Sequence, residues 1–228
     1  MLKLYIWRHP KPSAVRGLCF GQLDVAVDRR KVKRLANQID RYVKKHKLPK
    51  VIWVSHLQRS KQVGEVLAAR GYQCLVDPQL AESYFGAWEG KPWTQISKAE
   101  VDAWCNNFAH FAPEGGESLT QLFARVAAWI NKQQTNQTLQ TATHNSHTPS
   151  HHTPSHHDIH SNKTLSLASV SEEEARTILV VGHAGWITTA TLIAKQIPVP
   201  EKAIDWPMPA KYQELRVLSY PNLVDDYK

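Results

Sequence analysis

The chain has 228 residues, a hydrophobic content of 42% and a formal net charge of +8. Its length allows one large domain or two small ones, and its composition supports a buried core. No apolar run approaches the roughly 18 residues of a membrane span, and the N-terminus lacks the apolar region of a secretory signal, so we expect no membrane partner. The three cysteines, Cys19, Cys74 and Cys105, are widely spaced and form no CxxC pair, which favours the reducing cytoplasm and argues against a structural zinc site.

The basic residues concentrate between positions 29 and 47, where they alternate with apolar residues at helical spacing. The apolar positions are Val32, Leu35, Ile39 and Val43. This pattern predicts an amphipathic helix over residues 29–46 with a solvated basic face, rather than a surface that binds nucleic acid. The excess of positive charge would also attract small phosphorylated substrates.

Strand and helix signals alternate along most of the chain. Strands are predicted at residues 2–8, 51–54, 72–76, 177–181 and 212–218. Helices are predicted at residues 29–46, 59–70 and 98–106, from residue 117 onward, and from about 184 to 195. This order predicts an α/β fold, a three-layer α/β/α sandwich with a mainly parallel sheet and helices on both faces.

Two segments interrupt this alternation. Residues 83–118 are rich in aromatic residues and glycine, and we interpret them as a lid-like excursion. Residues 134–172 are dense in Ser, Thr, Asn, Gln and His and contain a tandem Thr-Pro-Ser-His-His unit. Such a segment has too little apolar surface to offset the entropy of ordering, so we predict a disordered insertion without a specific metal site. Because the sheet pattern resumes after it, we expect residues 1–228 to form a single domain.

Polar residues suited to phosphate chemistry follow three of the predicted strands. Arg8 and His9 end the first strand, residues 55–59 follow the second, and His183 follows the strand at 177–181. The carboxyl ends of parallel strands lie at one edge of a sheet, so we expect two histidines and two arginines to converge there. Guanidinium groups bind phosphate oxygens through paired hydrogen bonds, and the helix that begins after His183 would add backbone N–H donors.

Four segments, in order along the chain, resemble the motifs of the histidine phosphatase superfamily, the phosphoglycerate mutase-like family. The segments are Arg8-His9-Pro10, Ser55-His56-Leu57-Gln58-Arg59-Ser60-Lys61-Gln62, Leu80-Ala81-Glu82-Ser83-Tyr84-Phe85-Gly86-Ala87-Trp88-Glu89-Gly90 and Val181-Gly182-His183-Ala184-Gly185. The resemblance implies a phosphoglycerate mutase-like fold and a phosphatase that needs neither a metal nor a cofactor. The chain departs from the family pattern at Pro10, where the family has glycine.

The resemblance also implies a role for each matched residue. His9 would be the nucleophile that forms a phosphohistidine, and Glu82 would protonate the leaving alcohol and later activate water. Arg8, Arg59 and His183 would take part in catalysis by binding the transferring phosphoryl group. The expected substrate-binding residues are Arg8, Arg59, His183, Ala184, Ser13, Gly21 and Gln22.

Two further segments look most like the alpha-ribazole phosphatase branch of this superfamily. They are Gly17-Leu18-Cys19-Phe20-Gly21-Gln22-Leu23-Asp24-Val25 and Pro113-Glu114-Gly115-Gly116-Glu117-Ser118. This likeness suggests alpha-ribazole 5'-phosphate, an intermediate of cobalamin biosynthesis, as a candidate among small phosphorylated substrates. The alternatives are a phosphoglycerate mutase-like phosphotransferase and a non-catalytic phosphate-binding or interaction module. The sequence leaves the oligomeric state open.

Overall fold

The computed structural model describes residues 1–13, 15–144 and 175–221. At its centre is a five-stranded sheet in the order β3-β2-β4-β1-β5. The strands are β1 (Leu2–Arg8), β2 (Val51–Val54), β3 (Gln73–Val76), β4 (Arg176–Gly182) and β5 (Leu215–Tyr220). The first four strands are parallel, and β5 runs antiparallel to β1 at the edge of the sheet.

Helices cover both faces of the sheet, as the sequence predicts. They are α1 (Arg29–His46), α2 (Gln58–Ala68), α3 (Lys98–Asn106), α4 (Leu119–His144) and α5 (Ala184–Ala194). Helices α1 and α2 pack on one face, and α4 and α5 pack on the other. Helix α3 belongs to the lid-like excursion. The three-layer α/β/α sandwich is therefore confirmed.

Alternate residues of each buried strand enter different cores. In β4, Ile178 and Val180 pack with α4 and α5, whereas Leu179 and Val181 pack with α1 and α2. Strand β1 alternates in the same way. A strand that is buried on both faces has a continuous apolar run, which is why β1 and β4 give strong sequence signals.

Helix α1 has the predicted bounds because both of its ends are specified locally. The Asp28 side chain accepts a hydrogen bond from the Arg30 N–H at 2.7 Å, which caps the first turn. Lys47, in the left-handed conformation, ends the helix with a φ of 52°. The apolar stripe of α1 faces the sheet, and its basic residues face outward.

Helix α4 is longer than the sequence predicts and takes in the start of the predicted insertion. It continues through residues 134–144, so the prediction of disorder is wrong there. Gln133 accepts a hydrogen bond from Arg176 at 3.2 Å, and the buried Gln134 side chain donates to a backbone carbonyl just after β5. These long-range partners bind the Gln133 side-chain oxygen and the Gln134 side-chain nitrogen, which look solvated in the sequence. Residues 145–172 of the predicted insertion lie outside the described residues.

Strand β4, the first strand after the predicted insertion, lies between β2 and β1. Strands from both sides of the insertion therefore share one sheet, which favours the interpretation of the chain as one domain. Within the described ranges, no helix has both the length and the hydrophobicity needed to span a membrane.

Gly64 of α2 lies so close to β2 and β3 that a side chain does not fit. A Cβ atom at this position would lie 2.5 Å from Cys74 Sγ and 2.9 Å from a methyl carbon of Val54. We expect Gly64→Ala to lower the free energy of unfolding by about 1–3 kcal/mol, because overpacking outweighs a gain of about 1 kcal/mol in helix propensity. Urea unfolding measures this change.

The matched control is Glu65→Ala, at the neighbouring exposed position of α2. We expect its free energy of unfolding to stay within about 0.5 kcal/mol of the wild-type value, since surface substitutions and surface ion pairs contribute little to stability. A Gly64→Ala protein as stable as the wild type would contradict the close packing of α2 on the sheet.

Candidate active site

The carboxyl ends of β1, β2 and β4 bring the predicted site residues together. Arg8 and His9 stand at the end of β1, and Ser55 follows β2. His183 follows β4. The backbone N–H of His9 donates to the backbone carbonyl of Gly182, the last residue of β4, at 3.0 Å. The imidazole rings of His9 and His183 lie 5.0 Å apart, from centroid to centroid.

His9 is almost fully buried, and the proline after it sets its tautomer. Its Nδ1 lies 2.8 Å from the Pro10 carbonyl oxygen, so Nδ1 carries the proton and Nε2 keeps its lone pair. Burial lowers the pKa of His9 well below its ordinary value, and the charges of Arg59 and Arg8 lower it further. The hydrogen bond to Pro10 opposes this pKa shift without reversing it. His9 is therefore neutral, as a nitrogen nucleophile must be.

His183 is fully buried beside His9. Its Nε2 lies 2.7 Å from Ser55 Oγ, and its Nδ1 has no hydrogen-bond partner among the described residues. Burial lowers the pKa of His183 well below its ordinary value, and the nearby charge of Arg59 adds to this effect. This shift favours the neutral imidazole, whose Nδ1–H would be free to donate to an anion when Ser55 donates to Nε2.

Arg59, in the first turn of α2, is fully buried and forms no ion pair within the described part of the chain. Its Nη1 donates to the Leu23 carbonyl at 2.9 Å, and its Nη2 donates to the Gly21 carbonyl. Burial lowers the pKa of Arg59, and the negative charge of Glu82 opposes that shift. The guanidinium keeps its charge, which the carbonyls of Gly21 and Leu23 and the nearby carboxylates of Glu82, Asp24 and Glu89 stabilise.

Glu89 holds the loop that receives Arg59. Its carboxylate accepts hydrogen bonds from the backbone N–H groups of residues 21–23 and of Phe85, at 2.8–3.1 Å. With these N–H groups bound to Glu89, the carbonyls of the same loop are free to accept from Arg59. The sequence contains Glu89 in a matched motif, but nothing in the motif shows that this residue supports the arginine.

Arg8 is held by two groups that the sequence does not identify. Its Nη1 donates to the Ala210 carbonyl at 2.7 Å, and its guanidinium carbon lies 3.9 Å from the centre of the Tyr212 ring. The prediction that the last strand begins at Tyr212 is wrong. The Glu214 carboxylate accepts a hydrogen bond from the Lys211 N–H at 2.6 Å and closes a turn before β5. This turn places Tyr212 against Arg8.

Glu82 lies at the N-terminus of α5. Its Oε1 accepts hydrogen bonds from the N–H groups of Gly185 at 2.9 Å and Trp186 at 3.3 Å, and from that of Ser83 at 3.1 Å. The sequence predicts that the helix end offers its N–H groups to phosphate, but Glu82 already uses two of the first three. The N–H of Ala184 is the one that remains for a ligand.

Three buried donors near His9 have no hydrogen-bond partner among the described residues. They are Arg8 Nε, Arg59 Nε and His183 Nδ1. Buried polar groups in proteins are nearly always paired, so three unpaired donors grouped near His9 suit a ligand that supplies acceptors. All three atoms donate hydrogen bonds, and two of them belong to positively charged guanidinium groups. The ligand that fits therefore carries negatively charged oxygen atoms, as an oxyanion does.

The site opens into a cavity of about 540 Å³. Arg8, His9, Glu82 and Ala184 line it, whereas Arg59 and His183 are buried behind its surface. The apolar and aromatic part of the wall consists of Leu18, Phe20, Phe85, Trp93, Trp104, Phe108, Leu119, Leu122, Trp206, Pro209 and Tyr212. In the described part of the chain, no three His, Cys, Asp or Glu side chains are grouped as metal ligands.

Besides the buried Arg59 and His183, three of the expected substrate-binding residues do not line this cavity. Ser13 is exposed, and its N–H donates to a backbone carbonyl within its own loop. The N–H groups of Gly21 and Gln22 donate to Glu89, and the Gln22 side chain donates to the backbone carbonyl of Glu82 at 3.0 Å. The backbone N–H groups of Gly21 and Gln22 are thus engaged by Glu89, and a role of Ser13, Gly21 or Gln22 in binding substrate stays a prediction.

The two buried neutral histidines make the stability of the fold depend on pH. In the unfolded chain a histidine takes up a proton at about pH 6.5. In the folded chain the lowered pKa values of His9 and His183 prevent this. Below about pH 6.5 the unfolded state therefore binds more protons, and the fold loses stability as the pH falls. We expect the loss between pH 7.5 and 5.5 to be smaller by about 1 kcal/mol in His183→Gln than in the wild type.

Urea unfolding at the two pH values measures this difference. The matched control is His46→Gln, which removes an exposed histidine of α1 and should keep the wild-type pH dependence. An unchanged pH dependence in His183→Gln would show that His183 is charged in the folded protein.

Comparison with known proteins places this site in a family. The sequence profile of the histidine phosphatase superfamily (branch 1) matches residues 4–149, more than half of the chain. A curated relative, the adenosylcobalamin/alpha-ribazole phosphatase of Escherichia coli strain K12, is 25% identical over 152 residues, which are 64% of this chain and 73% of the relative.

Solved structures share the fold over nearly the whole chain. A mycobacterial glucosyl-3-phosphoglycerate phosphatase aligns with a TM-score of 0.65 and 22% identity, covering 96% of this chain and 90% of that one. The alpha-ribazole phosphatase from Shigella flexneri aligns with a TM-score of 0.62 and 22% identity, covering 96% and 91%. With its Arg8-His9 strand end inside the matched region, this chain belongs to the histidine phosphatase superfamily, branch 1.

Proposed function

We propose that this protein is a phosphomonoester hydrolase that works without a metal, through a phosphohistidine at His9. The observation that carries the proposal is the set of three unpaired buried donors beside His9, two guanidinium N–H groups and one imidazole N–H. They supply charge and hydrogen bonds of the kind that a transferring phosphoryl group requires. The relatives named above are phosphatases, which supports the same reaction class.

The first step forms the phosphoenzyme. The lone pair of His9 Nε2 attacks phosphorus, the bond from phosphorus to the alcohol oxygen breaks, and its electrons go to that oxygen, which takes a proton from Glu82. In the second step water attacks phosphorus while the Glu82 carboxylate takes its proton. The phosphorus–nitrogen bond then breaks, its electrons return to Nε2, and phosphate leaves. The Pro10 carbonyl holds the Nδ1 proton throughout.

The charge that develops on the phosphoryl oxygens is met by groups that are already in place. Arg8 and Arg59 are fixed by backbone carbonyls and by the Tyr212 ring, so they need no reorganisation during the reaction. Ser55 fixes the ring of His183. When the Ser55 hydroxyl donates to Nε2, the His183 proton is on Nδ1 and is available to a phosphoryl oxygen.

We expect Glu82→Gln to separate the two steps. The 4-nitrophenolate ion leaves without protonation, so 4-nitrophenyl phosphate forms the phosphoenzyme without the acid, whereas hydrolysis still needs the base. Rapid mixing should show a burst of about one 4-nitrophenolate per protein, followed by turnover about 10²–10⁴-fold below that of the wild type.

The matched control is Glu114→Gln, which changes an exposed carboxylate of the lid-like excursion and should keep wild-type turnover. Slow turnover without a burst would contradict the separation of the two roles. Wild-type turnover in Glu82→Gln would remove Glu82 from the mechanism.

Alpha-ribazole 5'-phosphate is the first substrate to test. The curated relative that is 25% identical carries this activity in its name. Both segments that resemble the alpha-ribazole branch also support the site. The loop at residues 17–25 holds Arg59, and the segment at 113–118 packs beside Glu82, with hydrogen bonds of 2.8 Å from Ala87 to Glu114 and from Glu117 to Tyr84.

The lining of the cavity disfavours a phosphoglycerate mutase. Phosphoglycerate carries a carboxylate in addition to its phosphate, and this second anion needs a second cationic group. Apart from Arg8, no arginine or lysine of the described residues lines the cavity. Glu117 lines it and is paired with Arg125 at 2.5 Å, so Arg125 is already engaged. A distal carboxylate would be desolvated without a partner.

We therefore expect kcat/KM for alpha-ribazole 5'-phosphate to exceed that for 3-phosphoglycerate by at least about tenfold, equivalent to about 1.4 kcal/mol in the transition state. Phosphate release measures both reactions, and phosphorus NMR identifies the products. A phosphorylated acceptor as the main product would establish a mutase. If no phosphorylated metabolite releases phosphate, the protein is a phosphate-binding module.

A further inference from the structure

Two segments that are far apart in the sequence form an aromatic wall in the cavity. The lid-like excursion supplies Phe85, Trp93, Trp104 and Phe108, and the connection between α5 and β5 supplies Trp206. We call these five side chains the aromatic wall. It lines the same cavity as Arg8, His9 and Glu82. A ligand held at His9 therefore shares its cavity with the aromatic wall.

The aromatic wall is held together by ring contacts. Trp93 and Trp104 are stacked, with centroids 6.0 Å apart and planes 23° apart. Phe85 meets both of them edge-on, at 6.5 Å and 6.3 Å. Phe108 joins the two segments, because its ring meets Trp206 at 5.9 Å and its N–H donates to the Glu201 carbonyl at 3.2 Å. The wall thus has a fixed geometry.

Part of the wall remains open to a ligand. Trp93 keeps 38% of its surface exposed, although the other rings around it are packed. In the proposed mechanism, Arg8, Arg59 and His183 bind only the phosphoryl group. The cavity has a volume of about 540 Å³, which is much larger than a phosphate. The remaining space is bounded by π faces and edges and has no free charge, since Glu117 is paired with Arg125. Such a surface favours a flat apolar group over a carboxylate.

We propose that the aromatic wall is the subsite for the leaving alcohol and that it takes a planar aromatic or heteroaromatic group. This inference rests on the proposed phosphatase activity and concerns the alcohol rather than the phosphoryl group. Trp206 is the specificity residue contributed from outside the lid-like excursion, and it closes the wall by contacting Phe108.

Three alkyl phosphates test the subsite without a difference in leaving-group chemistry. They are 2-phenylethyl, 2-cyclohexylethyl and methyl phosphate, all esters of primary or simple alcohols that need protonation by Glu82. We expect kcat/KM for the phenylethyl ester to exceed that for the methyl ester by about 10–100-fold, from buried apolar area and ring contacts. It should exceed that for the cyclohexylethyl ester by about 2–10-fold, from ring contacts alone.

Trp206→Ala should lower the phenylethyl-to-methyl ratio of kcat/KM by about 5–10-fold. The matched control is Met208→Ala, in the same segment, because Met208 is 88% exposed and does not line the cavity. It should keep the wild-type ratio, and equal thermal unfolding temperatures would show that both variants fold. An equal preference for the three esters, or a wild-type ratio in Trp206→Ala, would overturn the subsite.

A binding experiment keeps this test separate from the proposed function. Calorimetry with 3-phenylpropylphosphonate and methylphosphonate, which cannot be hydrolysed at the carbon–phosphorus bond, measures recognition without turnover. Tighter binding of the phenyl compound to the wild type than to Trp206→Ala supports the subsite even if no ester is hydrolysed. Hydrolysis of all esters with equal phosphonate affinities would leave the phosphatase intact and refute the subsite.

Discussion

The positive charge of Arg59, buried without an ion-pair partner among the described residues, is the constraint on which the rest of the site depends. A buried guanidinium is costly unless hydrogen bonds compensate it, and the carbonyls of Gly21 and Leu23 provide that compensation. Those carbonyls are available because Glu89 binds the N–H groups of the same loop. Burial lowers the pKa of His9, and the charge of Arg59 lowers it further, which favours the neutral imidazole that the proposed mechanism needs. One buried cation therefore connects the loop, the nucleophile and the ligand site, and an oxyanion at Arg59 would complete its compensation.

The lining of the cavity combines two kinds of surface. Around Arg8 and His9, the unpaired donors of Arg8, Arg59 and His183 suit a phosphoryl group, with the Glu82 carboxylate beside them. The opposite chemistry is found at Trp93 and Trp206, where the wall is aromatic and free of unpaired charge. Pro10, which follows His9, has no backbone N–H to donate, but its carbonyl fixes the His9 tautomer. The departure from the family motif is therefore compatible with a nucleophilic histidine.

The sequence predicts the parts of this structure that depend on local patterns. The apolar runs of β1 and β4 reveal strands buried on both faces, and parallel pairing is enough to bring His9 and His183 to one edge. The contribution of Tyr212 is not predictable in this way, because it depends on a turn closed by Glu214 and on contact with Arg8 from the opposite end of the chain. The same limit applies to α4, where the carbonyl of Pro221 accepts a hydrogen bond from the buried side chain of Gln134, a residue that composition alone assigns to a disordered insertion.

The central claim is that His9 becomes phosphorylated during turnover, and trapping this intermediate tests it most directly. The Glu82→Gln protein, which retains the nucleophile and lacks the base for hydrolysis, is mixed with ³²P-labelled 4-nitrophenyl phosphate and denatured in alkali, which preserves phosphohistidine. The account predicts that the protein carries label that is lost in acid and that peptide mass spectrometry locates at His9. The label should be absent from the double variant that carries both Glu82→Gln and His9→Gln. Label that persists in the His9→Gln protein, or that lies on another residue, would contradict the account.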